Sequence, residues 1–171
     1  SWKQYFKPLE VGERVLVCPA WEAVPARDAG RVVFTIEPGM VFGTGAHETT
    51  RLCLEAAEGL ILPDGRARVL DLGSGSGILS LVALLLGAGE AVAVDIDPAA
   101  ERIARENAAR NHIDPARFTA LTGNAVADAA LRERLGSGYD VVFANIVADA
   151  VSKLADMRKI DDEGVTFKSH I

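Results

Sequence analysis

Short apolar runs alternate with longer apolar or amphipathic stretches along most of this chain. Val69–Leu72, Ala91–Val94, Phe118–Leu121 and Val141–Phe143 are brief and mostly aliphatic, the pattern of strands buried on both faces of a parallel sheet. Between them, Ile78–Leu86 is almost wholly apolar and predicts a buried helix. Pro98–Asn111 predicts a second helix with a well-marked start. Asp97 can cap it, Pro98 suits the first helical position, and Glu101 lies in the first turn. Its apolar positions Ala100, Ile103, Ala104 and Ala108 make one stripe. Ala125–Leu135 and Asp149–Met157 predict two further helices, and Val165–Lys168 one more strand. Strand and helix in alternation are the signature of an α/β, Rossmann-like, doubly wound parallel sheet.

The first third has another rhythm. Arg14–Pro19 and Arg31–Ile36 predict two strands joined by a loop containing Pro25 and Gly30, and are read as a β-hairpin. Glu37–Ala46 is a loop with Pro38, Gly39, Gly43 and Gly45. A helix from Glu48 to Leu60 follows, stopping before Pro63-Asp64-Gly65. The expected organisation is a linker and hairpin extension over residues 1–37, then a ligand-binding α/β domain over residues 38–171.

The densest chemistry is Asp71-Leu72-Gly73-Ser74-Gly75-Ser76-Gly77, between a predicted strand and a predicted helix. Gly73, Gly75 and Gly77 permit positive φ and close approach of the backbone to a ligand, outside the carboxyl ends of the strands. A dinucleotide fingerprint requires G-x-G-x-x-G/A, and Ile78 stands where its third glycine belongs. Asp71 at the strand end suits a ligand with an ammonium group, such as the methionine part of S-adenosylmethionine. A tight turn without a ligand is the remaining alternative. Asp95 lies 22 residues after Gly73, where a carboxylate can accept hydrogen bonds from ribose hydroxyls. Asp97 competes with it but is better placed as a helix cap. Asn124 fits either the adenine edge or a turn. Asn145 ends the last apolar strand of this set, where an uncharged carbonyl can orient the N–H groups of an amine nucleophile; a turn asparagine is the alternative. Asp149 reads as an N-cap.

Pro38–Thr50 combines glycines, hydroxyls, Phe42 and His47, which suits an active-site lid, with the Thr50 hydroxyl in reach of a cofactor. His47 reads as a capping residue. His47, His112 and His170 are scattered and, with Cys18 and Cys53 outside any C-x-x-C spacing, predict neither a metal site nor a disulfide framework. Composition narrows the partners. A net charge of -6 with a pI near 5.1 argues against a broad surface for duplex nucleic acid. No run approaches the ~20 apolar residues of a membrane helix. A cytoplasmic setting is expected.

These blocks resemble a known family. Pro38–Thr50, Leu52-Cys53-Leu54-Glu55, Asp71–Gly77 with Ile78-Leu79, Asp95-Ile96-Asp97-Pro98 and Ala144-Asn145-Ile146 are similar to the bacterial ribosomal protein methyltransferases called PrmA, and the resemblance runs from about Tyr5 to Ile171. The glycine loop is common to all class I methyltransferases; the Pro38–Thr50 block is far more specific. The resemblance implies an S-adenosylmethionine-dependent protein N-methyltransferase acting on lysine and N-terminal amines of large-subunit ribosomal protein L11. It implies cofactor contacts at Thr50, Gly73, Asp95 and Asn145. It also implies a class I sheet truncated after its fifth strand, without the family's N-terminal substrate-recruiting domain. Ser169-His170-Ile171 departs from the family's usual Ser-Gly-Ile. Other class I acceptors, a nucleic-acid base or small molecule, are a rival reading, but Asn145-Ile146-Val147-Ala148 lacks the proline and stacking aromatic of many base methyltransferases. A cofactor-binding fragment without turnover is a second rival.

Overall fold

Backbone pairing sorts the strands into two sheets. The structure is a computed structural model that describes residues 7–37, 46–144 and 166–169. In chain order the elements are β1 (Leu9–Val11), β2 (Val15–Pro19), β3 (Val32–Ile36), α1 (Ala46–Leu60), β4 (Arg68–Leu72), α2 (Ile78–Leu86), β5 (Glu90–Asp95), α3 (Pro98–Arg110), β6 (Phe118–Thr122), α4 (Ala129–Leu135), β7 (Val141–Ala144) and β8 (Thr166–Ser169). The larger sheet has the order β6-β5-β4-β7-β8, and every neighbouring pair is parallel. The order reverses beside β4: the chain winds outward to β5 and β6, then returns to place β7 on the other side. That reversal is the topological switch point at which open α/β sheets bind ligands.

Alternation along the central strands divides the core. Val69, Ala91, Ala93, Phe118, Ala120, Val141 and Phe143 join α1, α2 and the small sheet in one apolar cluster. Leu70, Leu72, Val94, Val142 and Ala144 point the other way, onto Leu131, Leu135 and Tyr139. Both faces of the central strands are therefore covered, which is why they read as mostly apolar runs, whereas Thr119 on the edge strand β6 is exposed. Helix α2 needs no polar face because it is buried between the sheets: Ile78, Leu81, Val82, Ala83, Leu84 and Leu86 are all buried.

The small sheet corrects the hairpin reading. β2 and β3 are parallel, with Val15 opposite Val32 and Pro19 opposite Ile36. The segment between them crosses over through a 3-10 turn at Ala26–Asp28. The antiparallel partner of β2 is β1, which lies before the two strands that the sequence predicts. Short length hid β1, a three-residue strand that folds back on β2 through the tight turn between Val11 and Val15. The crossover is pinned by Arg31, whose Nε lies 3.1 Å from the buried Asp28 carboxylate and whose Nη1 donates to the carbonyls of Gly12 and Val15, each at 3.0 Å.

Helix α4 is also shorter than expected. It starts at Ala129 because Asp128 caps it, accepting from the N–H groups of Ala130 and Leu131. Residues 125–128 form a turn before it. The predicted helix Asp149–Met157 lies outside the described residues.

Candidate functional site

The glycine loop turns sharply at the end of β4. Gly73, Gly75 and Gly77 have φ of 75°, 53° and 83°, all in the left-handed region. At Gly77 space is tight as well: a Cβ would stand 3.0 Å from the Cβ of Ala104 on α3. Four of the loop's N–H groups, those of Gly73, Ser74, Gly75 and Gly77, are engaged within the protein. The N–H groups of Gly73 and Ser74 donate to the Val94 carbonyl at 2.8 and 3.1 Å. Gly77 N–H donates to the Ser74 carbonyl at 2.9 Å, and Gly75 N–H to Asp95 Oδ2 at 2.8 Å. A phosphate cradle needs such N–H groups free and convergent. This loop instead presents carboxylate and carbonyl acceptors, which disfavours the dinucleotide alternative and suits a ligand of hydroxyls and positive charge.

Asp95 organises the rim. Its Oδ1 accepts from Asp97 N–H at 2.9 Å while Oδ2 holds Gly75. Each carboxylate oxygen has further acceptor capacity, so the backbone bonds aim the group without exhausting it. Asp97 caps α3 through Ala99 N–H at 2.9 Å, as its position before Pro98 predicts.

A cavity of about 350 Å³ opens beside this rim, a volume within the range of small-molecule sites. Leu72, Val94, Ile96, Ala125 and Val126 supply apolar wall, and Gly73, Gly75, Asp95, Gly123 and Asn124 the polar edge. A flat heteroaromatic ring fits such a wall, and a polyhydroxylated sugar fits the Asp95 edge. Asn124 turns out to hold the turn: its Oδ1 accepts from Val126 N–H at 3.0 Å and Ala127 N–H at 3.2 Å. Its side chain still borders the cavity.

Asp71 stands behind the loop rather than on the cavity wall. It is 1% exposed. Ser80 Oγ donates to its Oδ2 at 2.9 Å, the Ser80 backbone N–H helps, and Oδ1 has no partner. Burial raises its pKa to about 7, with the nearby negative Asp95 adding to the rise and the Ser80 hydrogen bonds opposing it. Thr50 is half-buried on α1, one turn ahead of the buried stripe Cys53, Leu54, Ala57 and Ile61. It does not reach the cavity wall. Asn145, Asp149 and the loop segment 38–45 lie outside the described residues, as does His170.

Sequence reasoning missed Ile96. It is 71% exposed yet borders the cavity. A large aliphatic residue wedged between two strand-end acids, outside the strand and before the cap, is a readable signal for a ligand-facing contact. Ala125 and Val126 carried no such signal; only the turn at Asn124 brings them to the wall. Among the described residues no group of His, Cys, Asp and Glu could hold a metal ion, and no helix is long and apolar enough to cross a membrane.

Comparison with known proteins agrees with this geometry. The family model described as "Ribosomal protein L11 methyltransferase (PrmA)" matches residues 1–171. A ribosomal protein L11 methyltransferase from Trichlorobacter lovleyi is 46% identical over 159 residues, covering 91% of this chain and 49% of that protein. One from Caldanaerobacter subterraneus subsp. tengcongensis is 40% identical over 173 residues, covering 100% of this chain and 52% of its own length. The chain thus spans about half the length of the curated relatives it matches. The crystal structure of the ribosomal protein L11 methylase from Lactobacillus delbrueckii subsp. bulgaricus superposes with a TM-score of 0.73 at 28% identity, over 90% of this chain and 76% of that one.

Proposed function

Since this chain belongs to the ribosomal protein L11 methyltransferase (PrmA) family, we propose that it forms the S-adenosylmethionine-binding part of a protein N-methyltransferase whose acceptor is ribosomal protein L11, modified on lysine and N-terminal amines. One observation carries the reading. All three glycine N–H groups of the loop, and that of Ser74, are satisfied by Val94, Ser74 and Asp95, and the loop borders a cavity whose polar edge carries a carboxylate. Such a site fits a cationic, sugar-bearing ligand and not a pyrophosphate.

When bound, S-adenosylmethionine supplies an electrophilic methyl group on a sulfonium. This chain's residues supply placement. Asp95, already aimed by Gly75 and Asp97, accepts the ribose hydroxyls. Ile96 and Val126 flank the adenine, and Asn124 offers its amide N–H to the ring edge. Asp71 provides negative charge behind the loop for the ammonium group, and Thr50 on α1, outside the cavity wall, contacts a part of the cofactor that extends beyond the cavity. Asn145, directly after β7, orients the acceptor amine by accepting its N–H. The amine must be neutral to attack, so turnover rises with pH until the acceptor has lost its proton. Alignment and exclusion of water are the protein's contribution to rate.

Isothermal titration with S-adenosylmethionine, followed by mass spectrometry of ribosomal protein L11 after incubation with the full-length enzyme, tests the reading. Cofactor binding and mass increments of one or more methyl groups are expected. A chain that takes up NAD and ignores S-adenosylmethionine refutes it.

A further inference from the structure

Asn107 lies on α3 and is 1% exposed, a buried carboxamide on a helix otherwise packed through alanines. Its Nδ2 donates to the Ser76 carbonyl at 2.9 Å, inside the glycine loop. Its Oδ1 accepts from Arg110 Nη1 at 2.6 Å. A guanidinium only donates and a carbonyl only accepts, so the two partners fix which way the amide faces. Arg110 is itself held: its Nε lies 3.1 Å from Glu37 Oε1, just past the end of β3. One turn on, Asn111 accepts from Thr35 N–H at 2.7 Å and donates to the Thr35 carbonyl at 3.1 Å. The last turn of α3 is thereby clamped to β3, and its buried face reaches the loop through Asn107.

The contact sits where the loop has least freedom. Ser76 precedes Gly77, whose missing Cβ already lets Ala104 of the same helix approach to van der Waals distance. The Ser76–Gly77 peptide is therefore held at both ends, its carbonyl by Asn107 and its N–H by the Ser74 carbonyl. Rotating that peptide would shift Gly75, and Gly75 N–H is one of the two groups that aim Asp95.

We propose that Asn107 is a positioning residue for the cofactor site: through Ser76 it sets the glycine loop, and hence the Asp95 carboxylate, in the geometry that binds S-adenosylmethionine, while Arg110 and Glu37 keep its amide correctly turned. This rests on the cofactor reading above. Asn107 touches no reacting atom, so its effect falls on affinity.

The test uses the full chain and S-adenosylhomocysteine as probe, titrated calorimetrically well below each variant's melting temperature. Asn107→Asp keeps the size and the Arg110 contact but replaces the donor facing Ser76 with an acceptor. A buried carbonyl losing its donor is expected to weaken probe binding about tenfold or more. Asn111→Ala, which cuts the β3 clamp and leaves Ser76 untouched, is the stability control and should bind within about twofold of wild type. In the full-length enzyme, Asn107→Asp should raise KM for S-adenosylmethionine and leave kcat at saturation nearly unchanged, a split that a general loss of folded protein does not produce. Asn107→Ala serves as a second variant. Folded Asn107 variants with wild-type affinity overturn the proposal, and so does failure of both to fold, which would make Asn107 a residue of the core alone. A wild-type chain that does not bind the probe refutes the cofactor reading itself.

Discussion

Among the described residues, Asp71 is the carboxyl whose charge is least at ease, and replacing it by asparagine has a calculable consequence. The carboxyl is buried, with one oxygen unpartnered, and its pKa rises from 3.8 to about 7. Below pH 3.8 it is protonated whether the chain is folded or not, and its contribution to stability is fully present. Between 3.8 and about 7 the unfolded chain ionises while the folded one keeps its proton. Stability from this group therefore falls as pH rises through that window and is flat above it, by about 1.4 kcal/mol per pH unit. The whole window amounts to roughly 4 kcal/mol, a large share of an ordinary domain's stability. Asp71→Asn has no proton to lose. Its amide oxygen can still accept from Ser80, and whatever its NH2 group adds or removes does not depend on pH. Urea unfolding of both proteins at intervals from about pH 4 to pH 8 gives the difference curve directly. Carboxylates remote from Asp71 cancel in that difference, and Asp95, whose charge adds to the Asp71 shift, contributes a smaller part of it. The variant should gain steadily on the wild type up to about pH 7 and hold its lead beyond. A difference that stays constant across the range refutes the buried, high-pKa assignment. The same variant should bind S-adenosylmethionine more weakly if Asp71, from behind the glycine loop, supplies negative charge for the ligand's ammonium group as proposed.

Asp95→Ala removes the acceptor shared by Gly75 and Asp97 and should weaken S-adenosylmethionine binding by about 1.5–3 kcal/mol, read by calorimetry. Asp97→Ala loses only the α3 cap and should lower unfolding free energy by about 1 kcal/mol with affinity nearly unchanged; equal losses of affinity in the two variants would contradict this division. Asn145→Ala should lower turnover far more than cofactor affinity, and normal turnover would remove Asn145 from the mechanism. Tyr139→Phe deletes the 2.7 Å hydrogen bond from a fully buried hydroxyl to the Leu135 carbonyl, leaving that acceptor unpaired, and should cost about 1–3 kcal/mol in chemical denaturation.

Much of the larger sheet was legible because its signals are local. The runs at Val69–Leu72, Ala91–Val94, Phe118–Leu121 and Val141–Phe143 each fall within an observed strand, since burial keeps them mostly apolar, with Asp71 and Thr119 as the polar exceptions. Asp97-Pro98 marked the start of α3, and Gly77 and Gly87 bracket α2, because caps are written in residues next to the helix they bound. Asp95 and the glycines were visible for the same reason: loop chemistry at a strand end is a contiguous motif. What pairs across the chain was not. β2 and β3 lie side by side in parallel because Arg31 and Asp28 pin a crossover, and nothing in two apolar runs separated by a proline loop distinguishes that from a hairpin. Asn124 could be read two ways until the turn showed its oxygen committed to Val126 and Ala127. The burial of Asp71 against Ser80 and the Glu37–Arg110–Asn107–Ser76 connection join residues that no local motif links, Glu37 and Arg110 standing 73 positions apart (110 − 37). Sequence spacing carries the period of a helix and the edges of a loop. Only tertiary packing decides which side of a strand-end carboxylate meets solvent and which helix a glycine loop leans on.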